Sequence, residues 1–538
     1  MRGCPAPGIG ATGETRISLG FTAGVVAALG VFVAGCLLVS SREWFAADDF
    51  AFLVRVQQVE PWSWLDIRTA FEAYWWPFYR PLGMESFYYA NYWLFGLNFT
   101  AFVLAALLVN LVTGWLVYRI ALGLGFDARL ATVAAVLSIT RHATTLGLFR
   151  PSRFQYTSVI FFIALGVMLF LEYLRRGHAR YQVVGCAALA LGLLCNEVML
   201  MVPGILALVS LCTEHRVAPW LAVLRAVRRV SPQLLVAVAY LPIRFGLFDL
   251  PDPPASYRLF FGPHIVRNVG TQLLYGFGSH TALIVAVSLA VFALATACLR
   301  SEGRERAAGW LFRVNFLCVG WMALVLMPFV FFGHGSVRWS APLAIPMGLF
   351  FASYADLLWR TWGRRHPRTI ELALVGLLLV SLPYKAVWQK THNPIGAEAK
   401  RLKEIMEPYP GVPRIPTRFL ILYGSPELAT KRTLRGFKGR LFGGIMPYAV
   451  FPGNTAELKF VDLSKQSETS ERAPRRKRKR SWTPLSKCVY LTLGADGSID
   501  LADHAFVTSV FDAEEADRCI SRDRSGDVGE RSPPAGIE

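Results

Sequence analysis

The stretch ISLGFTAGVVAALGVFVAGCLLVS, residues 17–40, contains no charged side chain and runs directly into SREWFAADDF, residues 41–50. About 20 apolar residues in a helix reach across a bilayer core. The run is too long for the core of a signal peptide, and no small-residue cleavage motif closes it, so it reads as a retained first helix. Ten further apolar runs follow at 99–123, 129–140, 154–174, 181–196, 198–213, 231–248, 280–299, 310–332, 339–358 and 369–387. No repeat of 20–50 residues organises them, so a solenoid or array is not expected.

Composition agrees. The chain has 538 residues, 54% of them apolar and 17% charged, with a mean hydropathy of +0.40. Soluble domains carry about 25% charged residues, so there is too little polar surface here for a water-soluble fold. A soluble enzyme, a secreted disulfide scaffold and a disordered chain are excluded. The net charge of +19, from 56 Lys+Arg against 37 Asp+Glu, is spread over loops between apolar runs. It therefore reads as membrane topology and not as a nucleic-acid surface. The nine Cys show no CxxC spacing, which leaves a zinc site without support.

Positive side chains orient the chain. With residues 1–16 cytoplasmic, the inward segments hold Arg2 and Arg16, Arg119 and Arg129, Arg175, Arg176 and Arg180, Arg216 to Arg229, Arg300 to Arg313, and Arg360 to Arg368. The outward loops, longer together, hold about half as many. This alternation requires an odd number of crossings and puts residues 388–538 outside. The expected fold is an all-α polytopic membrane protein of about 11 transmembrane helices over 17–387, with a small extracytoplasmic α/β domain at 388–520 and a disordered tail at 521–538. The setting that fits is a bacterial inner membrane.

The first outward loop, 41–98, is rich in Trp62, Trp64, Trp75, Trp76 and Trp93, which favour the headgroup level. In the tail, 418–423 (RFLILY) and 488–493 (CVYLTL) read as strands, and Asp512–Arg518 as a short helix capped by Asp512. The run Arg475–Arg480 reads as a solvated basic loop, with anionic lipid as the next reading. Cys488 and Cys519 both face an oxidising compartment in this topology. A bridge between them would stabilise the tail by roughly 3 kcal/mol.

Several residues carry chemistry. Asp48 and Asp49 stand together just beyond the first helix. Desolvation and mutual repulsion raise one pKa of such a pair, which suits a general base; the alternative is a helix cap. The same pair offers oxygen ligands for a divalent metal ion. Arg80, Arg150, Arg153 and Arg338 lie on the outward side, where the positive-inside bias does not explain them. A guanidinium fork suits a phosphate, and snorkelling to headgroups is the alternative. Glu197 falls between two short apolar runs, either as an intramembrane functional group or as a loop residue. Asn98-Phe99-Thr100 matches a glycosylation sequon but abuts a helix start.

The order of these pieces resembles the GT-C glycosyltransferases, especially relatives of the protein O-mannosyltransferases and the transmembrane mannosyltransferases with TPR repeats. The resemblance covers about residues 17–360. It rests on the first helix followed by Asp48-Asp49, then Tyr79-Arg80-Pro81-Leu82 with Tyr92 to Asn98 and Leu108-Val109-Asn110-Leu111. Arg141-His142 through Arg153, Asn196-Glu197 with Pro203, and Arg338-Trp339 with Pro342 complete it. Asn196 stands where that family has Lys, Trp339 where it has Tyr, and no TPR array follows.

The resemblance implies a donor sugar on a polyprenyl phosphate held by Arg80, Arg153 or Arg338, with Glu197 in the same binding region. It implies an acceptor hydroxyl deprotonated by Asp48 or Asp49, and inversion at the anomeric carbon. A polytopic transporter or carrier-lipid flippase, and a non-catalytic envelope protein that binds polyprenyl phosphate, are the rival classes.

The topology makes a direct prediction. Alkaline phosphatase fused after residue 538 should be active, and a cytoplasm-only fluorescent protein at the same site should be dark. Fluorescence without phosphatase activity would reverse the orientation.

Overall fold

In the computed structural model the described residues are 18–46, 48–57, 80–214, 218–244, 261–277, 305–332, 337–359, 366–383, 387, 400, 417–423, 456–462, 487–493 and 499–501. The expected span at 280–299, the basic run Arg475–Arg480, the helix at Asp512–Arg518, Cys519 and most of the Trp-rich loop lie outside them. The chain forms two compact units, one of residues 1–42 with 60–392, the other of residues 43–59 with 393–538.

The first unit is helical. Its helices are α1 (Leu19–Arg42), α3 (Ser86–Phe95), α4 (Phe99–Gly123), α5 (Ala128–Ile139), α6 (His142–Leu148), α7 (Phe154–Arg176), α8 (Ala179–Leu193), α9 (Val202–Thr213), α10 (Pro219–Pro242), α11 (His264–Phe277), α12 (Glu305–Val330), α13 (Ala344–Leu358) and α14 (Pro367–Ser381). A π-helical turn at Pro81–Glu85 and 3₁₀ turns at Pro151–Arg153, Glu197–Met201 and Val337–Leu343 lead into α3, α7, α9 and α13. Among the described residues, the helices Leu19–Arg42, Phe99–Gly123, Pro151–Arg176 and Gly309–Val330 are long and apolar enough to cross a membrane.

Large apolar side chains stand on outer faces of the helices: Val26, Val31, Leu108, Trp115 and Phe312 on these spans and Leu235 on α10 are all exposed, an arrangement that a lipid solvent tolerates and water does not. The chain is a helical membrane protein.

Local chemistry sets the helix ends. The Asn98 side chain accepts from Ala101 N at 3.3 Å to start α4, so the sequon asparagine is a helix cap. Asp127 does the same for α5, accepting from Arg129 N at 2.9 Å. Gly177 closes α7 at φ +71°, a left-handed cap that glycine adopts without a Cβ penalty. α10 differs from expectation, since the segment before 231 reads as a loop yet is helical from Pro219. Proline at the first helical position gives up no bond, and Arg225 and Arg229 of its first turns are anchored on Glu214.

α4, α5, α7 and α13 form the centre of the bundle, with α1 against α14 and α9 against α10 and α12. One end is tied by carboxylates. Glu371 accepts from Arg129 Nε at 2.9 Å and from Ser18 Oγ, joining α14, α5 and the start of α1. Arg129 also lies over the Trp359 ring at 4.6 Å. Glu172 pairs with Arg119 at 3.4 Å and Arg176 at 2.7 Å, and Trp310 Nε1 donates to Leu124 O at 3.0 Å. Gln182 Nε2 donates to Arg229 O at 2.6 Å, and Cys212 Sγ approaches Arg313 O at 3.4 Å. These links gather at one end the segments whose arginines read as cytoplasmic.

The second unit contains α2 (Asp48–Gln57) and a four-stranded sheet of β1 (Thr417–Tyr423), β2 (Ala456–Asp462), β3 (Lys487–Leu493) and β4 (Ile499–Leu501) in the order β2-β1-β3-β4. β1 pairs parallel with β2 and β3, and β3 pairs antiparallel with β4. Both expected strands are present and adjacent, Arg418 opposite Cys488. β2 and β4 go beyond the sequence expectation. Parallel neighbours need long crossover connections, which lie outside the described residues.

Close helix packing depends on small residues. A Cβ at Gly348 of α13 would stand 2.7 Å from the Ala134 carbonyl oxygen of α5. Gly348→Ala should therefore cost about 1–3 kcal/mol, read as a lower Tm in detergent. Gly30→Ala, where a Cβ meets nothing within 4 Å, should leave the Tm unchanged or raised.

Candidate functional site

The other end of the first unit holds a polar cluster built from four separate segments. Arg80 precedes the Pro81–Glu85 turn. This turn docks onto the α8–α9 hairpin through Leu82 N to Leu194 O at 3.1 Å. Gly83 permits the approach, since a Cβ there would stand 2.6 Å from Cys195 O. Arg80 then donates from Nε at 2.8 Å and from Nη2 at 2.6 Å to Glu197 Oε2, and from Nη1 to Gln155 Oε1. Arg244, just past α10, reaches Glu197 Oε1 at 3.4 Å.

Asn196 completes the set. Its Nδ2 donates to Gln155 Oε1 at 3.2 Å, and its Oδ1 accepts from Val198 N at 3.1 Å, starting the 3₁₀ turn. Phe87 stacks on Phe154 at 3.8 Å beside it.

Side-chain exposures of 12% for Arg80, 23% for Glu197 and 15% for Arg244 describe a recessed cluster open to solvent on one side. Two guanidiniums meet one carboxylate there in a place of reduced dielectric. A phosphate accepts well from guanidinium N–H groups.

The residues singled out by the sequence are distributed unevenly. Arg80 and Glu197 are in direct contact, and Glu197 sits at a helix break, not inside a span. Arg153 ends the Pro151–Arg153 turn, two residues before Gln155, with its N–H on Arg150 O at 2.8 Å. Arg338 lies on the Val337–Leu343 turn, which packs against α6, α7, α11, α12 and α13.

Gln155 and Arg244 join the cluster without having been expected there. Arg244 is legible in the sequence as a cation within the apolar run 231–248. Gln155 follows Arg153 in an apolar run and carries no signal of its own.

Asp48 and Asp49 belong to the second unit, in the first turn of α2. Asp49 is 1% exposed, and its Oδ2 accepts from Ala46 N at 2.9 Å. The Asp49 carboxylate thus reaches back to an amide that precedes α2 and helps fix the entry of the chain into the helix. Asp48 is the more accessible of the two. Among the described residues, no three His, Cys, Asp or Glu side chains gather as metal ligands.

No family model matches the sequence. No curated protein matches it. Among solved structures the chain is similar to the Archaeoglobus fulgidus oligosaccharyltransferase in complex with zinc and sulfate, at TM-score 0.43 and 11% identity over 80% of this chain and 62% of that one. The same enzyme tethered to an acceptor peptide through a disulfide gives TM-score 0.39 and 12% identity over 73% and 61%. The chain thus spans about three fifths of the length of these structures. Likeness at this level transfers no activity.

Removing one partner of a recessed ion pair strands the other. Glu197→Gln should cost roughly 2–3 kcal/mol, less than a fully buried pair because Glu197 keeps some solvent. Arg80→Met and Arg244→Met together with Glu197→Met, which removes all three charges at once, should recover most of that loss. Thermal unfolding of the parent and the two variants in detergent measures both, and equal loss in the single and triple variants would contradict the pairing.

Proposed function

We propose that this protein is a membrane glycosyltransferase of the GT-C kind, which moves a sugar from a polyprenyl-phosphate carrier to an acceptor hydroxyl on the extracytoplasmic face. The observation that carries the reading is the recessed Arg80–Glu197–Arg244 cluster, placed away from the carboxylate-tied end of the bundle. Guanidinium N–H groups gathered in a recess suit a lipid phosphate. The segment order from Asp48-Asp49 to Arg338-Trp339, which resembles that family, supports it further.

In this reading Arg80, with Arg153, Arg244 and Arg338, binds the carrier phosphate, and Glu197 with Gln155 positions Arg80. Asp48 takes the proton of the acceptor hydroxyl as its oxygen attacks the anomeric carbon. The bond from that carbon to the phosphate oxygen breaks, and polyprenyl phosphate leaves with the bonding pair. Configuration inverts, because attack comes opposite the leaving group. A phosphate is an adequate leaving group without a strong acid, and arginine charge stabilises it as it departs. Asp49 holds the start of α2 and so the direction of Asp48. A divalent metal at this pair would draw on the same carboxylate oxygens.

Loss of a general base lowers rate by roughly 10²–10⁴-fold. Asp48→Asn and Asp49→Asn variants, matched in membrane level, should be assayed for glycan transfer by mass spectrometry of envelope fractions beside the parent strain. Asp48→Asn should lose transfer within that range. Near-parental transfer by both variants would remove the pair from the mechanism.

A further inference from the structure

At the carboxylate-tied end of the bundle, the turn from α7 into α8 carries Arg175, Arg176 and Arg180, and the first turns of α10 carry Arg225, Arg228 and Arg229. The side chains of Arg175, Arg176 and Arg225 are 61%, 53% and 52% exposed, and Arg180 and Arg228 are exposed as well. Gln182 Nε2, donating to Arg229 O at 2.6 Å, holds the two segments side by side. Among the described residues, the carboxylates that pair with these arginines are Glu172, on Arg175 and Arg176, and Glu214, on Arg225 and Arg229. Six guanidiniums thus meet two carboxylates, and Glu172 is also shared with Arg119.

Positive charge at this end follows from topology, but the crowding of like charges on two touching segments does not. Arg176 and Arg180 lie over the same Tyr181 ring, at 5.7 and 5.0 Å. Arg225 stands three and four residues from Arg228 and Arg229 on α10, spacings at which like charges repel. An anion set among them turns that repulsion into attraction, and a phosphate accepts from several guanidinium N–H groups at once. The surface beside the arginines narrows the kind of anion. Trp220, Val223, Leu224 and Val227 recur at helical spacing on α10 and are 67%, 51%, 60% and 50% exposed. The opposite side of the same turns is buried through Ala222, Ala226 and Val230. On α8, Val183 and Val184 follow Gln182 and are 67% and 50% exposed. Basic side chains bordered by outward apolar ones on both helices match a phospholipid, whose charged headgroup continues into acyl chains.

We propose that the α7–α8 turn and the start of α10 together form a binding site for an anionic phospholipid of the leaflet at this end. Arg176, Arg180, Arg225 and Arg228 hold its headgroup, and its acyl chains lie along the apolar stripes of α10 and α8. The site lies at the end of the bundle away from the Arg80–Glu197–Arg244 cluster and stands independently of the donor reading. The lipid is a resident of the protein in this account, with no part in bond making.

The test uses the full-length chain in detergent. Native mass spectrometry measures dissociation constants for phosphatidylglycerol and for phosphatidylcholine with the same acyl chains. Each basic side chain near an anionic headgroup contributes about fivefold. The parent should therefore bind phosphatidylglycerol at least roughly tenfold more tightly than phosphatidylcholine. The combined variant Arg180→Gln, Arg225→Gln and Arg228→Gln should bring the two constants within about twofold of each other. Arg364→Gln, Arg365→Gln and Arg368→Gln, which remove the same charge from another segment, should keep the parental preference. If the first variant melts lower than the parent, Arg180→Gln with Arg228→Gln takes its place and should cut the preference by about fivefold or more. A parent without preference overturns the site, and so does a preference that survives in the α8 and α10 variants. An equal loss in the control variant also overturns it, because the attraction would then belong to the overall charge of the chain.

Discussion

A carboxylate beside lipid persists only with a cation against it, because unpaired ions in an apolar surround are expensive. The first unit is organised by that constraint. Glu371 with Arg129, Glu172 with Arg119 and Arg176, and Glu214 with Arg225 and Arg229 pin helix ends together on one side. Glu371 with Arg129 and Glu172 with Arg119 join helices far apart in sequence, and Glu214 with Arg225 and Arg229 closes a turn, so these pairs fix which helix ends are neighbours. Away from them, Arg80, Glu197 and Arg244 obey the same rule. Position separates the two places, since carboxylates that meet more than one guanidinium occur at both ends, and among the described residues only the Glu197 group lies at the helix break after α8.

Much of this is legible in the sequence. The apolar run at 99–123 is the helix Phe99–Gly123, because hydropathy and an Asn cap agree on its limits. The strands expected at 418–423 and 488–493 occur one residue longer at their starts. β2 escapes a reading by hydropathy although Leu458 and Phe460 alternate with Glu457 and Lys459, the period of a strand; its three charges, with Asp462, mask the pattern. The helical start of α10 is hidden for a related reason, since Arg225, Arg228 and Arg229 read as loop while Glu214, the partner of Arg225 and Arg229, lies before the helix.

The polar cluster is half visible. Arg80 and Glu197 are conspicuous as charges among apolar neighbours. Their meeting is not, because it depends on Gly83 letting the Pro81–Glu85 turn reach the backbone of Cys195, which is a property of three dimensions. Asn196 stands out in the sequence only as a departure from a lysine. Its amide bridges Gln155 to the 3₁₀ turn through two hydrogen bonds, work that an ammonium, with no acceptor, would not do. Asp49 shows the reverse case, where an apparent chemical feature also holds backbone, by accepting from Ala46 N ahead of α2.

The length of α8 has a mechanical consequence. Its 15 residues rise about 22 Å, short of the ~30 Å of a bilayer's hydrocarbon. Val183, Val184 and Leu191 nevertheless face outward, a surface suited to acyl chains. Lipid meets a short helix that crosses it by thinning, at fractions of a kcal/mol for each ångström of mismatch. A bilayer crossed by α8 would therefore form a dimple beside the hairpin that carries Glu197. In such a dimple headgroups stand nearer the bilayer centre than in the surrounding leaflet, and the hydrocarbon that a lipid phosphate skirts to approach the protein is thinner. Membrane thickness, and hence lipid composition, becomes a variable to which this part of the molecule is mechanically coupled.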